Sequence, residues 1–222
     1  MKALVLSSGG VDSTTLLALA VERYSAENVI ALSIYYGQKH KKELEAARKT
    51  AEYYHVEHIE TDLTDIFQFS DSTLLEGRGD IPHETYIEQV VKAGCSPVST
   101  YVPFRNGLFL SVAASIAISK GCGVVMYGAH ADDAAGNAYP DCSVEFVESM
   151  NKAIYIGSGN DLYLEAPFAG MNKTQVVAAG KRFGVPYEIT WSCYEGGDEP
   201  CGKCATCLDR RAAFLANGID LR

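Results

Sequence analysis

The chain has 222 residues, 47% of them hydrophobic, which fits one globular domain with a small appendage. Its net charge of −9 provides no basic stripe for a nucleic-acid backbone, so we expect a small-molecule substrate and no nucleic-acid partner. No apolar run approaches the roughly 20 residues of a membrane helix, and the apolar run at residues 3–6 is too short for a signal peptide. We therefore expect a cytoplasmic protein with no membrane partner.

The first part of the chain alternates between strand and helix patterns. Strands are predicted at residues 2–7, 29–35 and 56–61, and helices at residues 13–24 and 40–54. This alternation predicts an α/β fold with a doubly wound parallel sheet.

The alternation is interrupted at residues 69–103, which are rich in glycine and proline and predict a lid or loop insertion. Regular elements then return: a helix at 106–120, a strand at 123–127, a polar loop at 128–141, and helices at 144–156 and 173–183. A segment rich in glycine and cysteine at 193–207 precedes a last helix that runs toward Asn217.

The segment that joins the first predicted strand to the first predicted helix reads Ser-Gly-Gly-Val-Asp-Ser-Thr-Thr at residues 8–15. Glycines let the backbone approach an anion, and the start of a helix offers unpaired N–H groups and the positive end of the helix dipole. The lysine of a P-loop is missing, so the segment predicts a different kind of pyrophosphate cradle. The alternative is a plain tight turn in which Asp12 or Ser13 caps the helix.

Four cysteines near the C-terminus have the spacing of metal ligands: Cys193, Cys201, Cys204 and Cys207. Zinc prefers such a tetrahedral set of thiolates, and four protein ligands leave no open position, so we predict a structural zinc ion, one per chain. An iron–sulfur cluster and unliganded thiols are the alternatives. Cys95 and Cys122 are predicted to be small buried residues, whereas Cys142 is either buried or a nucleophile. The five histidines show no metal-binding spacing, and we expect them to be structural or peripheral.

The Ser-Gly-Gly segment resembles the signature loop of the N-type ATP pyrophosphatases, or PP-loop family. This resemblance implies an adenine nucleotide alpha hydrolase-like fold and cleavage of ATP between its α and β phosphates. Five further segments narrow the resemblance: Tyr-Gly-Gln-Lys-His at 36–40, Val-Pro-Phe-Arg-Asn at 102–106, Tyr-Pro-Asp-Cys at 139–142, Thr-Trp-Ser-Cys-Tyr at 190–194 and Cys-Gly-Lys-Cys at 201–204. In this order they are similar to the 7-cyano-7-deazaguanine synthases of queuosine biosynthesis. One departure is Ser143, where many members carry an arginine, so a carboxylate-binding role at that position is not carried over.

The resemblance implies a carbon–nitrogen ligase. Its substrates would be 7-carboxy-7-deazaguanine, ammonia and ATP, and its product 7-cyano-7-deazaguanine. One ATP adenylates the carboxylate, ammonia displaces AMP to give an amide, and a second ATP activates the amide for dehydration to the nitrile. The alternatives are another PP-loop adenylating enzyme, such as a tRNA-modifying thiolase or an amide-forming ligase, and a zinc-ribbon module for nucleic acid. The last would be basic and would lack the Ser-Gly-Gly segment.

The same resemblance implies an ATP site with Mg²⁺. The predicted ATP-binding residues are Ser7, Ser8, Gly9, Gly10, Val11, Asp12, Ser13, Thr14, Thr15, Leu16 and Leu17. The predicted catalytic residues are Asp12, Arg105, Asp132, Asp133, Asp141 and Lys173. Asp12 would orient Mg²⁺ or the loop.

Arg105, just before a predicted helix, would bind the substrate carboxylate or the α-phosphate, unless it forms a surface ion pair. The three aspartates follow a strand, where open α/β sheets bind ligands. One would accept hydrogen bonds from the ring edge and another would act as a base, unless the loop is merely solvated. Lys173 is poorly placed for the helix dipole, which indicates a phosphate contact.

We predict two units: an ATP pyrophosphatase domain at 1–190, with 69–103 as its insertion, and a zinc-binding segment at 191–222 packed on the same domain. The oligomeric state is not fixed by the sequence, and a homodimer is one option. The ammonia source is also open.

Overall fold

The computed structural model describes residues 1–94 and 96–221, so the expectation for Cys95 lies outside the described residues. Within them, five strands form one sheet: β1 Lys2–Leu6, β2 Val29–Tyr35, β3 Glu57–Asp62, β4 Cys122–Met126 and β5 Tyr163–Glu165. The helices are α1 Val11–Tyr24, α2 Lys42–Tyr53, α3 Thr64–Phe67, α4 Tyr86–Ala93, α5 Arg105–Ser119, α6 Ala131–Ala134, α7 Val144–Gly157, α8 Lys173–Arg182 and α9 Ala205–Ala216. Every strand pair is parallel, and the order across the sheet is β3-β2-β1-β4-β5.

Both faces of the central strands are buried, which is why β1 and β2 are continuous apolar runs and not alternating ones. On one face, Ala3 and Val5 of β1 pack with Leu16 of α1. On the other face, Leu4 of β1 belongs to a core that includes Leu110 of α5. Helices on both faces of a parallel sheet confirm the predicted doubly wound α/β fold.

The order of the strands reverses at β1. From β1 the chain adds β2 and β3 on one side, and then β4 and β5 on the other. The loops that leave the carboxyl ends of β1 and β4 therefore diverge, and ligands of open α/β sheets bind in the crevice between such loops. The predicted pyrophosphate cradle and the polar loop at 128–141 both lie at this point.

The element predictions differ from the structure in instructive places. The strand predicted at 29–35 is confirmed at both ends. Helix α1 begins at Val11 and not at Ser13, because the extended Gly10, with φ −81° and ψ 176°, is its N-cap. The sequence patterns miss α4, because Ile87 and Val91 on its outer side are exposed and blur the apolar periodicity. They also miss β5, whose three residues are too few to show alternation.

The C-terminal segment lies on the same body as the sheet. Phe214 of α9 is fully buried and packs with Val177 of α8 and with Tyr187. Arg210 of α9 is also buried and donates to the Tyr187 carbonyl oxygen at 2.9 Å. The division of the chain at residue 190 stays a prediction. Among the described residues, no helix is both long and apolar enough to cross a membrane.

Candidate active site and metal centre

A cavity of about 230 Å³ lies at the carboxyl ends of β1, β2 and β4. Its walls are the loop after β1, the first turns of α1, α2, α5 and α8, the loop after β4, and residues 191–194. Leu6, Leu32 and Ile34 at the strand ends provide apolar surface, whereas the surrounding helix starts provide charges and N–H groups. An apolar pocket with a few convergent polar groups is the usual form of a small-molecule site.

The loop after β1 is organised by its own hydroxyl groups. The hydroxyl oxygens of Ser8 and Ser13 are 3.1 Å apart, and the Ser8 N–H donates to the Ser13 hydroxyl at 3.2 Å. The Thr14 N–H donates to the Gly10 carbonyl oxygen at 3.0 Å, which starts the hydrogen bonding of α1. The N–H groups before that bond have no acceptor within the helix and are available to an anion.

Position 9 requires glycine. Gly9 has a φ of +77°, and a Cβ there would lie 2.3 Å from the Ala47 nitrogen and 2.5 Å from the Glu43 carbonyl oxygen. The loop therefore packs directly on the backbone of α2. On the other side, the Gly9 carbonyl oxygen accepts a hydrogen bond from the Trp191 N–H at 3.0 Å. The loop is thus held between α2 and the C-terminal segment.

The predicted ATP-binding residues fall into two groups. Those that line the cavity are Ser7, Ser8, Gly10, Val11, Asp12 and Ser13. Gly9 and Thr14 support the loop from behind, and Thr14 is fully buried. The Thr15 hydroxyl donates to the Val11 carbonyl oxygen at 2.8 Å, and the Leu16 and Leu17 side chains lie in the core. The last three side chains do not reach the cavity and act by holding α1 in place.

Asp12 and Lys173 bring the first turns of α1 and α8 together. The Lys173 ammonium donates to Asp12 Oδ2 at 2.5 Å, and His130 Nε2 lies 3.3 Å from Lys173 Nζ. Burial alone would raise the pKa of Asp12, but the charges of Lys173 and His130 and the hydrogen bond from Lys173 hold this pKa below its ordinary value. Burial would lower the pKa of Lys173, but Asp12 and Asp133 raise it above its ordinary value. Both groups of the pair are therefore ionised at neutral pH.

Asp132 and Asp133 follow β4 but serve different purposes. Asp132 Oδ2 accepts a hydrogen bond at 2.7 Å from the backbone N–H of Lys173, the first residue of α8. Asp133 lines the cavity, and its Oδ2 lies 3.3 Å from His130 Nε2. Burial raises the pKa of Asp133, although the charges of His130 and Lys173 oppose the increase. Asp132 thus fixes a helix start, whereas Asp133 faces the ligand space.

Arg105 is the first residue of α5, and its side chain lines the cavity. The guanidinium donates to the Tyr36 hydroxyl at 3.0 Å and lies 5.2 Å from the centre of the Tyr36 ring. Asp141 fixes the start of the same helix, because its Oδ2 accepts a hydrogen bond from the Asn106 N–H at 2.9 Å. Arg105 is therefore held at one edge, and its remaining N–H groups suit a carboxylate or phosphate.

Cys142 lines the cavity but is a poor nucleophile. Its sulfur lies 3.3 Å from the Asn106 amide nitrogen and 3.3 Å from the Tyr127 hydroxyl. Burial raises the pKa of the Cys142 thiol, so the thiol keeps its proton. The reactive form of cysteine is the thiolate. Cys122 is buried in the core, as predicted.

Three tyrosines connect separate parts of the chain above the cavity. The Tyr86 hydroxyl of α4 lies 2.8 Å from the Tyr194 hydroxyl and 3.5 Å from the Tyr139 hydroxyl, which in turn lies 2.6 Å from the Thr100 hydroxyl. The insertion at 69–103 therefore contributes directly to the cavity wall. Its movement as a lid stays a prediction.

Sequence reasoning missed three ionisable residues of the cavity, His130, Glu43 and Asp209. His130 lines the cavity beside both Lys173 and Asp133, so it is not peripheral, whereas a structural role for it stays a prediction. Its position two residues before the predicted aspartates was an available signal. Glu43 and Asp209 lie on α2 and α9, and no pattern in the sequence links these helices to the cavity.

The four predicted metal ligands meet in space: the sulfur atoms of Cys193, Cys201, Cys204 and Cys207 all lie within 4.8 Å of one another. The Cys201 N–H donates to the Cys193 sulfur at 3.3 Å, and the Cys204 N–H donates to the Cys201 sulfur at 3.3 Å. Backbone N–H groups directed at sulfur stabilise thiolates and orient them toward a metal. The donor set and its burial fit a four-coordinate metal ion with no open position.

The metal centre and the cavity share supporting residues. The Cys193 carbonyl oxygen lies 2.9 Å from His40 Nε2 and accepts a hydrogen bond from Trp191 Nε1 at 2.8 Å. Trp191 and Tyr194, on either side of this cysteine, both line the cavity. The position of the four-cysteine segment therefore determines part of the active-site wall.

The family model described as queuosine biosynthesis protein QueC matches residues 2–218. This chain belongs to the QueC family. A QueC-family relative from Archaeoglobus fulgidus, named 7-cyano-7-deazaguanine synthase, is 43% identical over 220 residues, which cover 99% of this chain and 88% of the relative. The relative of the same name from Caldicellulosiruptor bescii is 42% identical, covering 99% of this chain and 95% of the relative.

Solved structures confirm the fold of this QueC-family chain. The NMN synthetase from Francisella tularensis matches with a TM-score of 0.54 at 16% identity, covering 100% of this chain and 79% of that protein. The U34-tRNA thiolase NcsA from Methanococcus maripaludis, solved with its 4Fe–4S cluster, matches with a TM-score of 0.53 at 18% identity, covering 98% of this chain and 66% of that protein. These likenesses concern the fold alone.

Proposed function

We propose that this chain converts 7-carboxy-7-deazaguanine and ammonia into 7-cyano-7-deazaguanine, using two molecules of ATP. The observation that carries the proposal is the loop after β1, which faces a cavity containing both Arg105 and Lys173 in a chain whose family relatives bear the name of this synthase. The alternatives, a tRNA-modifying thiolase or another amide-forming ligase, are not favoured, because relatives at about 40% identity over nearly the whole chain share that name.

The loop suits the triphosphate of ATP. The N–H groups at the start of α1 would neutralise the phosphates, and Ser7 Oγ and Asp12 Oδ1 are buried oxygens without a partner among the described residues. Asp12 Oδ1 is the atom that we assign to Mg²⁺, which would neutralise phosphate charge. The attacking carboxylate oxygen is already anionic, so adenylation needs alignment and charge neutralisation, and no base.

Arg105 and Lys173 would each bind one of the two anionic groups that react in the first step. We assign the substrate carboxylate to Arg105, which is held by Tyr36 at one edge and faces the cavity with the other. We assign the α-phosphate to Lys173, the first residue of α8, whose ammonium group reaches Asp12 at the start of α1. Asp133 lines the same space and remains a candidate for the hydrogen bonds of the ring edge. Adenylation thus gives the acyl carbon a good leaving group, AMP, which the free carboxylate lacks.

We further propose that the metal of the four-cysteine cluster is zinc and that its role is structural. Four thiolates satisfy tetrahedral zinc without a solvent position, and the cluster supports the wall residues Trp191 and Tyr194. Elemental analysis of the purified protein should give one zinc and no iron per chain. Iron and acid-labile sulfide in stoichiometric amounts would indicate an iron–sulfur cluster.

The test of the function uses purified protein with ATP, ammonium and 7-carboxy-7-deazaguanine. Two AMP and two pyrophosphate should be released per nitrile formed, and the 7-amido compound with ATP should give the nitrile without ammonium. Bulk tRNA in place of the ring substrate is the matched control and should release no pyrophosphate. Failure of the amide to react would contradict the scheme of two adenylations. We also propose that the enzyme is cytoplasmic, because its substrate ATP is available there. Formation of a homodimer stays a prediction.

A further inference from the structure

The proposed reaction needs a base that none of the predicted aspartates readily provides. After ammonia attacks, protons must leave nitrogen, and the dehydration of the amide removes two more. Asp132 and Asp141 each accept a backbone N–H, from Lys173 and Asn106, and thereby fix helix starts. Asp133 lies in contact with His130. Asp132 and Asp141 are therefore engaged by the fold, whereas Asp133 lies in the charged group around Lys173 that we assign to phosphate.

Two other carboxylates line the cavity without a hydrogen bond or ion pair to any residue in 1–94 or 96–221: Glu43 and Asp209. Different charged groups act on the two carboxylates. Asp209 faces the charged group of Lys173, His130 and Asp133 that we assign to phosphate. The charge that acts on Glu43 is instead that of Arg105, which we assign to the substrate carboxylate. A base for the carbonyl carbon belongs beside Arg105.

The position of Glu43 is fixed by the loop itself. Glu43 is in the first turn of α2, and its carbonyl oxygen would be 2.5 Å from a Cβ at Gly9, so the two backbones are in direct contact. The side chain is half-buried and lines the cavity. The helix start thus holds a carboxylate next to the phosphate loop without engaging it in the fold.

The surroundings of Glu43 make its carboxyl a neutral-range proton acceptor. Burial raises its pKa from 4.5 to about 7, and the positive charge of Arg105 opposes the increase. Tyr36 is the titratable neighbour; burial raises its pKa to about 12, so its phenol stays protonated. Gly9 contributes only backbone, and Trp191 faces the same cavity without a charge. A base works best when its pKa lies near the working pH.

We propose that Glu43 is the general base that accepts the nitrogen protons in both halves of the reaction, an inference that rests on the proposed function. In the first half, the ammonia lone pair forms the C–N bond with the acyl carbon of the carboxyl adenylate. Glu43 takes one proton from that nitrogen, the carbonyl re-forms, and the C–O bond to AMP breaks, with AMP keeping the electron pair. The products are the amide and AMP, and Glu43 returns its proton to water.

The second half uses the same carboxylate twice. The amide oxygen bonds to the α-phosphorus of the second ATP, and pyrophosphate leaves. Glu43 accepts one N–H proton, releases it to water, and accepts the second as the C–O bond breaks. The electron pair of that last N–H bond becomes part of the C≡N bond, and AMP departs with the oxygen.

The test compares Glu43→Gln with Glu45→Gln, an exposed position on the same helix whose substitution changes the net charge equally. Adenylation needs no base, so E43Q should keep ATP–pyrophosphate exchange with 7-carboxy-7-deazaguanine, without ammonium, within about threefold of the wild type. Conversion of the 7-amido compound to the nitrile should fall by roughly 10²–10³-fold, within the usual contribution of a general base. E45Q should match the wild type in both assays.

A pH profile separates a base from a residue that only binds. With the 7-amido compound no ammonia titrates, and kcat/KM of the wild type should rise through about pH 7, as the pKa of Glu43 requires, whereas E43Q should lose this rise. The proposal would be overturned if E43Q lost ATP–pyrophosphate exchange or formed the nitrile at an unchanged rate. It would also be overturned if Asp209→Asn, and not E43Q, slowed nitrile formation and removed the rise with pH. A wild type that makes no nitrile would instead refute the proposed function. If the wild type makes the nitrile and E43Q makes it at the same rate, only the role of Glu43 is refuted, and the proposed function stands.

Discussion

The loop after β1, residues 7–13, and the cysteine cluster at 193–207 are both short, contiguous segments, yet they are held in place differently. The loop leaves a strand that is buried from Ala3 to Leu6, packs on the backbone of α2 and is joined by its own hydroxyl groups. The cysteine segment has no strand, and it enters a helix only at Ala205. The fold sets the shape of the loop, whereas four converging thiols leave the shape of the cluster to a metal. Changes in the loop should therefore affect chemistry, and changes in the cluster should affect folding.

The largest effect is expected from Cys204→Ser. Structural zinc contributes roughly 10–16 kcal/mol of apparent binding energy in small peptides, which rivals the roughly 5–15 kcal/mol net stability of a domain. The variant should be aggregated or poor in metal, and any folded fraction should still bind ATP. Elemental analysis and a melting curve decide the outcome, with Cys122→Ser as a buried control outside the cluster. A stable, metal-free C204S protein that fails only in catalysis would remove the contrast between the two regions.

Asp12→Asn tests the loop side of the contrast. Removing the charge that pairs with Lys173 should lower ATP turnover by roughly 10²–10³-fold, the usual cost of deleting one electrostatic group at a reacting centre. The melting temperature should fall only modestly, because asparagine keeps the shape of the side chain and Asp133 remains near the Lys173 charge. Pyrophosphate release and thermal melting measure the two effects. Unchanged turnover would take Asp12 out of the mechanism.

Gly9→Ala asks whether the loop also carries stability. A Cβ at a φ of +77°, 2.3 Å from the Ala47 nitrogen, should cost about 2–4 kcal/mol in the free energy of unfolding. Gly10→Ala is the matched control, because its φ is −81° and the nearest atom to a new Cβ is Ser8 Oγ at 3.3 Å. Its cost should stay under about 1 kcal/mol. Urea denaturation of both proteins gives the comparison, and equal losses would show that position 9 has room.

The smallest effect concerns the pH dependence of stability at Glu43. Its pKa is raised from 4.5 to about 7 in the folded protein, so the folded state binds a proton more tightly than the unfolded chain. The stabilisation that comes from this tighter proton binding is fully present below pH 4.5 and is lost as the pH rises through 7. Glutamine cannot ionise, so E43Q should gain roughly 1–2 kcal/mol over the wild type above pH 8, after allowance for solvent in the cavity. Urea denaturation at several pH values measures it; a gap that does not grow with pH would show that Glu43 is solvated.

The sequence predicted what lies in contiguous segments. The loop at 8–15 and the four cysteines can be recognised from the sequence because their chemistry depends on spacing along the chain. The parallel sheet is legible because strands buried on both faces are continuous apolar runs. The family resemblance follows from segments of the same kind.

The rest of the site depends on tertiary packing. Glu43 reaches the cavity because Gly9 lets the loop approach α2, and the sequence gives no sign of this contact. Tyr86 belongs to α4, whose Thr85–Glu88 capping box was a usable signal within a segment interpreted as irregular. Asp132 and Asp141 look like catalytic acids in the sequence but bind backbone N–H groups in the structure.

The hydrogen bond between the Trp191 N–H and the Gly9 carbonyl oxygen joins an early part of the chain to a late one. Proteins fold from the N-terminus during synthesis, so the five strands can assemble while residue 191 is still inside the ribosome. At that stage the loop is packed against α2 but open on the side of Trp191. The nascent chain therefore lacks the finished cavity wall until residues 191–207 have emerged and the four cysteines have gathered. We therefore expect the loop after β1 to take its final shape only after residue 191 has been released from the ribosome.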